Sequence, residues 1–155
     1  MFTITGEIVD IINGNTFPGR IGIDAGMIKS IDRLTSAPPR LICPGFVDAH
    51  VHVERSLLVP SEFARVALAH GTIASVSDPH EIANVLGIQG VKFMIASGAL
   101  TPFYFCWGAP SCVPATDFET AGGAISVADI AELLEMPEVG YLAEMMNYPG
   151  VIARN

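Results

Sequence analysis

The sequence predicts an α/β protein with a parallel β-sheet in its larger, second part. Apolar strand-like runs begin near residues 46, 72, 103 and 139, with helical patterns between them. Starts about 26 to 36 residues apart are typical of strand–helix units that return each strand parallel to the last. Apolar residues make up 50% of the chain and charged residues 15%, which favours a packed core over disorder.

The N-terminal part follows a different pattern. Four short runs are separated by Asn-Gly and Asp-x-Gly turns: residues 2–5, 7–12, 20–24 and 27–31. These are hairpin signals and predict a small antiparallel β unit. The Ala-Pro-Pro-Arg segment at 37–40 is predicted to be a stiff extended connector. We therefore expect one unit at residues 1–43 and a second at residues 44–155.

In the second unit the predicted strands are 46–49, 72–77, 103–107 and 139–143, and the predicted helices are 61–70, about 87–97 and 127–135. A long loop precedes the last helix. Ser126, with Asp129 three residues later, has the spacing of a capping box at that helix's start.

This spacing fits two architectures. A (β/α)₈ barrel needs about 250 residues, so four strands would be its first half. A doubly wound open sheet could be complete at this length. In both, ligands bind at the carboxyl ends of the parallel strands.

A pair of histidines follows the first predicted strand. His50 and His52 are two residues apart, so both side chains leave a strand on the same face, with Cα atoms roughly 6.5 to 7 Å apart. Two imidazoles at that separation can bind one metal ion. His-x-His also occurs by chance, and its place at a strand end is what favours a metal site.

Polar residues follow all four predicted strands. They are His50, His52 and Glu54; Asp78, His80 and Glu81; Cys106, Ser111 and Cys112; and Glu144 and Asn147. Asp78 precedes a helix, where a capping role is favoured over metal binding. Glu144 ends an apolar strand and must be paired, protonated or metal-bound, so a ligand role is preferred. The two cysteines are interpreted as small buried apolar residues.

The charge and composition of the chain limit the kinds of molecule that it is expected to bind. The net charge is −8 with a pI of about 4.8, so no basic patch is expected for nucleic acid or anionic lipid. Glycines and prolines interrupt the one long uncharged stretch, residues 93–116, and no membrane span is predicted. Three cysteines without a CxxC spacing, and no visible signal peptide, favour a cytoplasmic protein acting on a small molecule.

Several motifs resemble a known family. Pro-Gly-Phe-Val-Asp-Ala-His-Val-His at 44–52 resembles the strand-one signature of the amidohydrolase superfamily. More narrowly, three longer segments resemble the adenine deaminases. They are Asp-Pro-His-Glu-Ile-Ala-Asn-Val-Leu-Gly at 78–87, Pro-Ser-Cys-Val-Pro-Ala-Thr at 110–116 with Phe-Glu-Thr-Ala-Gly at 118–122, and Ala-Glu-Met-Met-Asn-Tyr-Pro-Gly-Val at 143–151.

The resemblance implies a metal-dependent (β/α)₈ (TIM) barrel with a small β-sandwich built from the chain ends. Residues 1–43 would belong to the sandwich and residues 44–155 would be the first four barrel strands. It implies deamination of adenine to hypoxanthine and ammonia, a purine salvage reaction, at a binuclear manganese or iron centre, with zinc possible. His50 and His52 would bind one metal, Glu144 would bridge both, and Asp78 and His80 would be accessory ligands.

Two departures qualify that implication. The family's further ligands, two histidines and an aspartate, come from strands five, six and eight, and this sequence has no histidine after His80. Arg55 replaces a small hydroxyl residue, and we expect it to point away from the metal. The resemblance therefore implies an N-terminal portion, inactive alone, that needs a missing C-terminal half or a homo-oligomer.

Two alternatives remain open. One is a non-catalytic remnant or binding module that keeps half a site. The other is a different amidohydrolase, such as a dihydroorotase or imidazolonepropionase relative, against which the motifs at 78–87 and 111–116 count.

Overall fold

The computed structural model describes residues 1–116 and 118–154. Residue contacts divide the chain into two compact units, Met1–Pro44 and Gly45–Asn155. Within the described residues, no helix combines the length and apolar character needed to cross a membrane.

The first unit is a four-stranded sheet in the order β3-β2-β1-β4. Its strands are β1 (Phe2–Asp10), β2 (Asn15–Asp24), β3 (Met27–Arg33) and β4 (Leu41–Ile42). The pairs β1–β2 and β2–β3 are antiparallel, which confirms the predicted hairpins. Gly14 and Gly26 occupy the turns with positive φ, a conformation that costs glycine little.

Two details of the first unit differ from the prediction. The run at 2–5 and most of the run at 7–12 form one strand that ends at Asp10, because Gly6 stays in the ladder opposite Gly19. A Cβ at Gly6 would lie 2.6 Å from the Arg40 carbonyl oxygen, so glycine lets the connector approach β1 closely. Beyond the connector, β4 pairs parallel with β1, and the sheet is mixed rather than purely antiparallel.

The second unit contains a parallel sheet in the order β5-β6-β7-β8, as predicted. The strands are β5 (Phe46–Val51), β6 (Thr72–Ser77), β7 (Tyr104–Ala109) and β8 (Val139–Leu142). The helices are α1 (Pro60–Ala69), α2 (His80–Leu86), α3 (Ile88–Gly98), α4 (Val127–Leu134) and α5 (Tyr148–Ala153), with a short 3₁₀ helix at Val53–Ser56.

The helix predicted at about 87–97 is α3, and the short helix α2 that ends just before it was not predicted. Gly87 separates α2 from α3 with a φ of +59°, a conformation that L side chains avoid. The helix α2 begins at His80, three residues after the end of β6. The helix α5 was not predicted. Asn147 starts it, and its side chain accepts the Gly150 N–H at 3.2 Å.

Aromatic side chains pack the core around β7. Phe105 and Trp107 stack with ring centroids 4.9 Å apart, and Phe103 contacts Phe105 at 4.6 Å. Trp107 is 2% exposed and Leu133 of α4 is fully buried. Because β7 pairs with β6 on one side and β8 on the other, it is an interior strand of the sheet, and it leads into the loop that begins at Pro110.

The predicted capping box at α4 is confirmed. Ser126 Oγ accepts the Asp129 N–H at 3.2 Å, and Asp129 Oδ2 accepts the Ser126 N–H at 2.8 Å. The Ser126 hydroxyl also donates to that carboxylate at 2.6 Å, and these hydrogen bonds lower the pKa of Asp129.

We predict that Ser126→Ala lowers the free energy of unfolding by about 1 kcal/mol, because α4 loses an N-cap acceptor. Urea denaturation measures the change. Val127→Ala, at an adjacent exposed position, is the control and should leave stability unchanged or slightly higher. A Ser126→Ala variant as stable as the wild type would contradict the capping role.

The stabilisation that the Asp129 carboxylate contributes to the capping box depends on pH. The pKa of Asp129 is lower in the folded state than in the unfolded state. The ionised carboxylate therefore stabilises the fold at pH values above the unfolded-state pKa, and this stabilisation is lost as the pH falls through the folded-state pKa. Asp129→Asn should therefore be less stable than wild type at pH 7, and the difference should shrink below the ordinary Asp pKa. A difference that stays constant in urea titrations from about pH 7 to about pH 2.5 would refute this.

Candidate metal site

Four side chains converge at the carboxyl ends of the parallel strands. His52, Asp78, His80 and Glu144 each offer one ligand atom, and these four atoms all lie within 4.8 Å of one another. His52 follows β5, Asp78 and His80 follow β6, and Glu144 follows β8. Residues from three strands thus meet at one edge of the sheet, as the sequence predicts.

His50 joins this group through His52. The two Nε2 atoms are 3.1 Å apart, so both imidazoles point to the same place, as their spacing in the strand requires. His50 is exposed, whereas His52 is partly buried. His52 Nε2 also lies 3.4 Å from Glu144 Oε1, which connects the histidine pair to the carboxylate after β8.

A backbone contact sets the orientation of His52. Its Nδ1 lies 2.9 Å from the carbonyl oxygen of Asp78. A carbonyl can only accept, so Nδ1 carries the hydrogen and neutral His52 presents a lone pair at Nε2. This is the tautomer that a metal-binding histidine needs, and such contacts orient metal ligands in known sites.

Asp78 is the most buried acid of the group, with 2% exposure. Its Oδ2 lies 2.9 Å from His80 Nδ1, and this hydrogen bond raises the pKa of His80. Its Oδ1 is buried and has no hydrogen-bond partner anywhere in residues 1–116 and 118–154. The favoured capping role for Asp78 was wrong: Pro79 is the N-cap of α2, and the Asp78 carboxylate turns to His80 instead.

Glu54 supplies the helix contact that was expected of Asp78. Its Oε1 accepts the N–H of Ile82, in the first turn of α2, at 3.1 Å. Burial raises the pKa of Glu54. The sequence contains no local signal for this contact, because Glu54 and Ile82 are 28 residues apart.

Arg55 is paired with another acid. Its Nε donates to Glu81 Oε1 at 2.6 Å, and its side chain is 69% exposed. The same Glu81 oxygen lies 3.6 Å from His80 Nε2. The guanidinium charge is thus balanced by a carboxylate at the rim of the site, where it opposes cation binding less.

The residues after β7 contact the backbone around Glu144. Ser111 Oγ donates to the Glu144 carbonyl at 2.6 Å, and Cys112 Sγ accepts the Met146 N–H at 3.1 Å. Cys112 is therefore more than the buried apolar residue that was expected, and it is only partly buried. Sequence reasoning missed both contacts, although the Pro-Ser-Cys-Val-Pro motif was the available signal.

The residues present fit a divalent metal ion. Imidazole nitrogens and carboxylate oxygens are the donors that manganese, iron and zinc accept in proteins. A buried carboxylate oxygen that lacks a partner is costly, and a cation bound by Asp78 would remove that cost. The donor atoms are also close enough to share an ion.

Comparison with known families identifies the class of protein. Residues 41–154 match the model of the amidohydrolase family. The chain belongs to the amidohydrolase family. This confirms the resemblance carried by the His50–His52 segment, and it gives the polar cluster at the strand ends a family context.

Similar proteins narrow the comparison. The chain is 54% identical over 144 residues to an adenine deaminase of Sulfurovum sp. (strain NBC37-1), covering 93% of this chain and 27% of that protein. It is 52% identical over 151 residues to the adenine deaminase of Salinibacter ruber, covering 97% and 28%. It is 49% identical over 150 residues to that of Methanothermobacter thermautotrophicus, also covering 97% and 28%. The chain thus spans little more than a quarter of these relatives.

We predict that His52→Ala lowers bound divalent metal at least about tenfold, because it removes a ligand together with its contact to Asp78. Elemental analysis of the purified protein that carries this sequence measures the loss. His70→Ala is the matched control, since His70 is exposed after α1 and lies outside the cluster. Equal metal content in the His52→Ala and His70→Ala variants would remove the ligand assignment.

Proposed function

We propose that this chain forms the N-terminal portion of an adenine deaminase. The reaction replaces the amino group at C6 of adenine with oxygen from water and yields hypoxanthine and ammonia, a step in purine salvage. One observation carries the proposal: a cluster of His52, Asp78, His80 and Glu144 within 4.8 Å in an amidohydrolase chain about half identical to adenine deaminases.

Within this proposal the architecture is half of a (β/α)₈ barrel. Residues 44–155 supply its first four strands, and residues 1–43 belong to a small β-sandwich. The parallel order β5-β6-β7-β8 supports the barrel assignment. The position of the polar cluster at the strands' carboxyl ends also supports it, since barrel enzymes have their active sites there.

The metal centre is proposed to be a binuclear manganese or iron site, with zinc as the alternative. His50 and His52 would bind one ion, Glu144 would be shared by both, and Asp78 and His80 would be accessory ligands. A divalent cation bound there supplies Lewis acidity and makes water a stronger nucleophile at neutral pH.

The chain's own residues orient these donors. The Asp78 carbonyl holds the proton of His52 at Nδ1, which leaves Nε2 directed toward Glu144. Asp78 Oδ2 holds His80 by Nδ1. The chain offers no histidine beyond His80, so we assign the remaining ligands and the group that protonates the leaving nitrogen to a C-terminal half or to a second protomer.

The compartment is proposed to be the cytoplasm. All three cysteines, Cys43, Cys106 and Cys112, are free, and Cys43 is exposed. Exposed free thiols suit a reducing environment.

We predict that the intact protein, loaded with Mn²⁺ or Fe²⁺, releases ammonia from adenine, and that Glu144→Gln lowers kcat at least about 100-fold, because one metal-binding carboxylate oxygen becomes an amide. Ultraviolet absorbance follows adenine loss, and a coupled assay follows ammonia. Glu138→Gln, just before β8 and far along the strand from the cluster, is the control and should keep wild-type activity.

The 155-residue piece alone should release no ammonia under the same conditions, because the proposal assigns further ligands to other segments. Robust turnover by that piece would contradict the assignment of further ligands to a C-terminal half or a second protomer. An intact protein that binds metal but leaves adenine unchanged would instead be a different amidohydrolase or a binding module.

A further inference from the structure

The segment after β7 holds the backbone on both sides of Glu144. The Ala143 N–H donates to the Ala109 carbonyl at 2.8 Å, which extends the pairing of β7 and β8 up to Glu144. Ser111 Oγ donates to the Glu144 carbonyl at 2.6 Å. The Met146 N–H, two residues after Glu144, donates to Cys112 Sγ at 3.1 Å.

Glu144 needs such support because of its location. It lies in the connection between β8 and α5, and its side chain is 45% exposed. Its Oε1 is 3.4 Å from His52 Nε2 and 3.9 Å from His80 Nδ1. Displacement of its backbone by about 1 Å would change both distances, and functional side chains need placement within about 0.5 Å.

The supporting segment is itself anchored in the core. Trp107 and Pro110 are fully or almost fully buried, and Val113 is 4% exposed. Ser111 and Cys112 lie between buried Pro110 and buried Val113, which anchor the backbone on both sides of the pair. A hydroxyl or thiol fixed in this way can hold a neighbouring loop through its backbone groups.

We propose that Ser111 and Cys112 are positioning residues that hold Glu144 in its metal-binding place. The inference rests on the proposed metal-dependent function, because it assigns Glu144 to a metal. It gives Ser111 and Cys112, in the Pro-Ser-Cys-Val-Pro motif, a role at the proposed metal site. Neither residue touches the metal or the substrate in this assignment.

The test is the Mn²⁺ affinity of the intact, full-length protein, measured by titration of the metal-free form without adenine. Ser111→Ala and Cys112→Ala should each weaken Mn²⁺ binding by about 10- to 100-fold, as removal of a contact behind a ligand does in known metal sites. Ser111→Thr keeps the hydroxyl and should restore near wild-type affinity. Wild-type affinity in both alanine variants would overturn the proposal.

A matched control separates positioning from general support. Thr101 Oγ1 donates to the Gly98 carbonyl at 3.1 Å, also a hydroxyl-to-carbonyl hydrogen bond, but one between residues three apart and before the start of β7. Thr101→Val should lower the urea midpoint of the metal-free protein about as much as Ser111→Ala, yet keep wild-type Mn²⁺ affinity. Equal losses of affinity in the Thr101→Val and Ser111→Ala variants would show a merely structural role and would overturn the proposal.

The remaining outcomes are also decisive. If Ser111→Ala fails to fold, Cys112→Ala and Ser111→Thr carry the test with the same expectations. A wild-type protein that binds no Mn²⁺, Fe²⁺ or Zn²⁺ overturns the inference together with the metal site. A protein that binds Mn²⁺ but does not deaminate adenine overturns the proposed function alone, and the Mn²⁺ titrations still decide the roles of Ser111 and Cys112.

Discussion

Parallel pairing of β5, β6, β7 and β8 is the constraint on which the candidate site depends. Because the four strands run in one direction, their carboxyl ends lie along one edge, and the chain must leave that edge four times. His52, Asp78 and Glu144 each leave it within two residues of a strand end. Their separation along the sequence, up to 92 residues, becomes a separation of no more than 4.8 Å between ligand atoms.

The contacts that refine this convergence are made largely by the backbone. His52 is oriented by a carbonyl of Asp78, Glu54 accepts a backbone N–H of α2, and Ser111 donates to a carbonyl of Glu144. Each contact starts from the segment that follows one strand. It ends either at the segment that follows the next strand of the sheet or at the helix after that next strand. Side chains that bind a neighbour's backbone fix its position whatever residue it carries. The Asp78–His80 hydrogen bond adds a direct contact between two of the candidate ligands.

Much of the fold could be predicted from periodicity and turn chemistry, since these are local. The capping box at Ser126 and the parallel strands belong to that class, as does the convergence of His50 and His52. The helix α2 could not, because it has only seven residues and its first turn is held by Glu54, which lies 28 residues before Ile82 in the sequence. The pairing of Glu7 in β1 with Leu41 in β4 joins residues far apart in the sequence, beyond the range of local signals.

The wrong prediction of a capping role for Asp78 also comes from a contact between residues far apart in the sequence. An acid before a helix is ordinarily a cap, but α2 receives its carboxylate from Glu54, and Asp78 is left to turn toward His80.

Charge then links the site to the stability of this edge of the sheet. Four acids lie around the histidines: Glu54, Asp78, Glu81 and Glu144. Arg55 forms an ion pair with one of them, Glu81. Acids brought this close repel one another, and Asp78 is too buried for water to screen it well. A divalent cation held by Asp78 and Glu144 would remove that repulsion and join the exits of β6 and β8. Metal binding and the order of this edge are therefore expected to be coupled, because each lowers the free energy cost of the other.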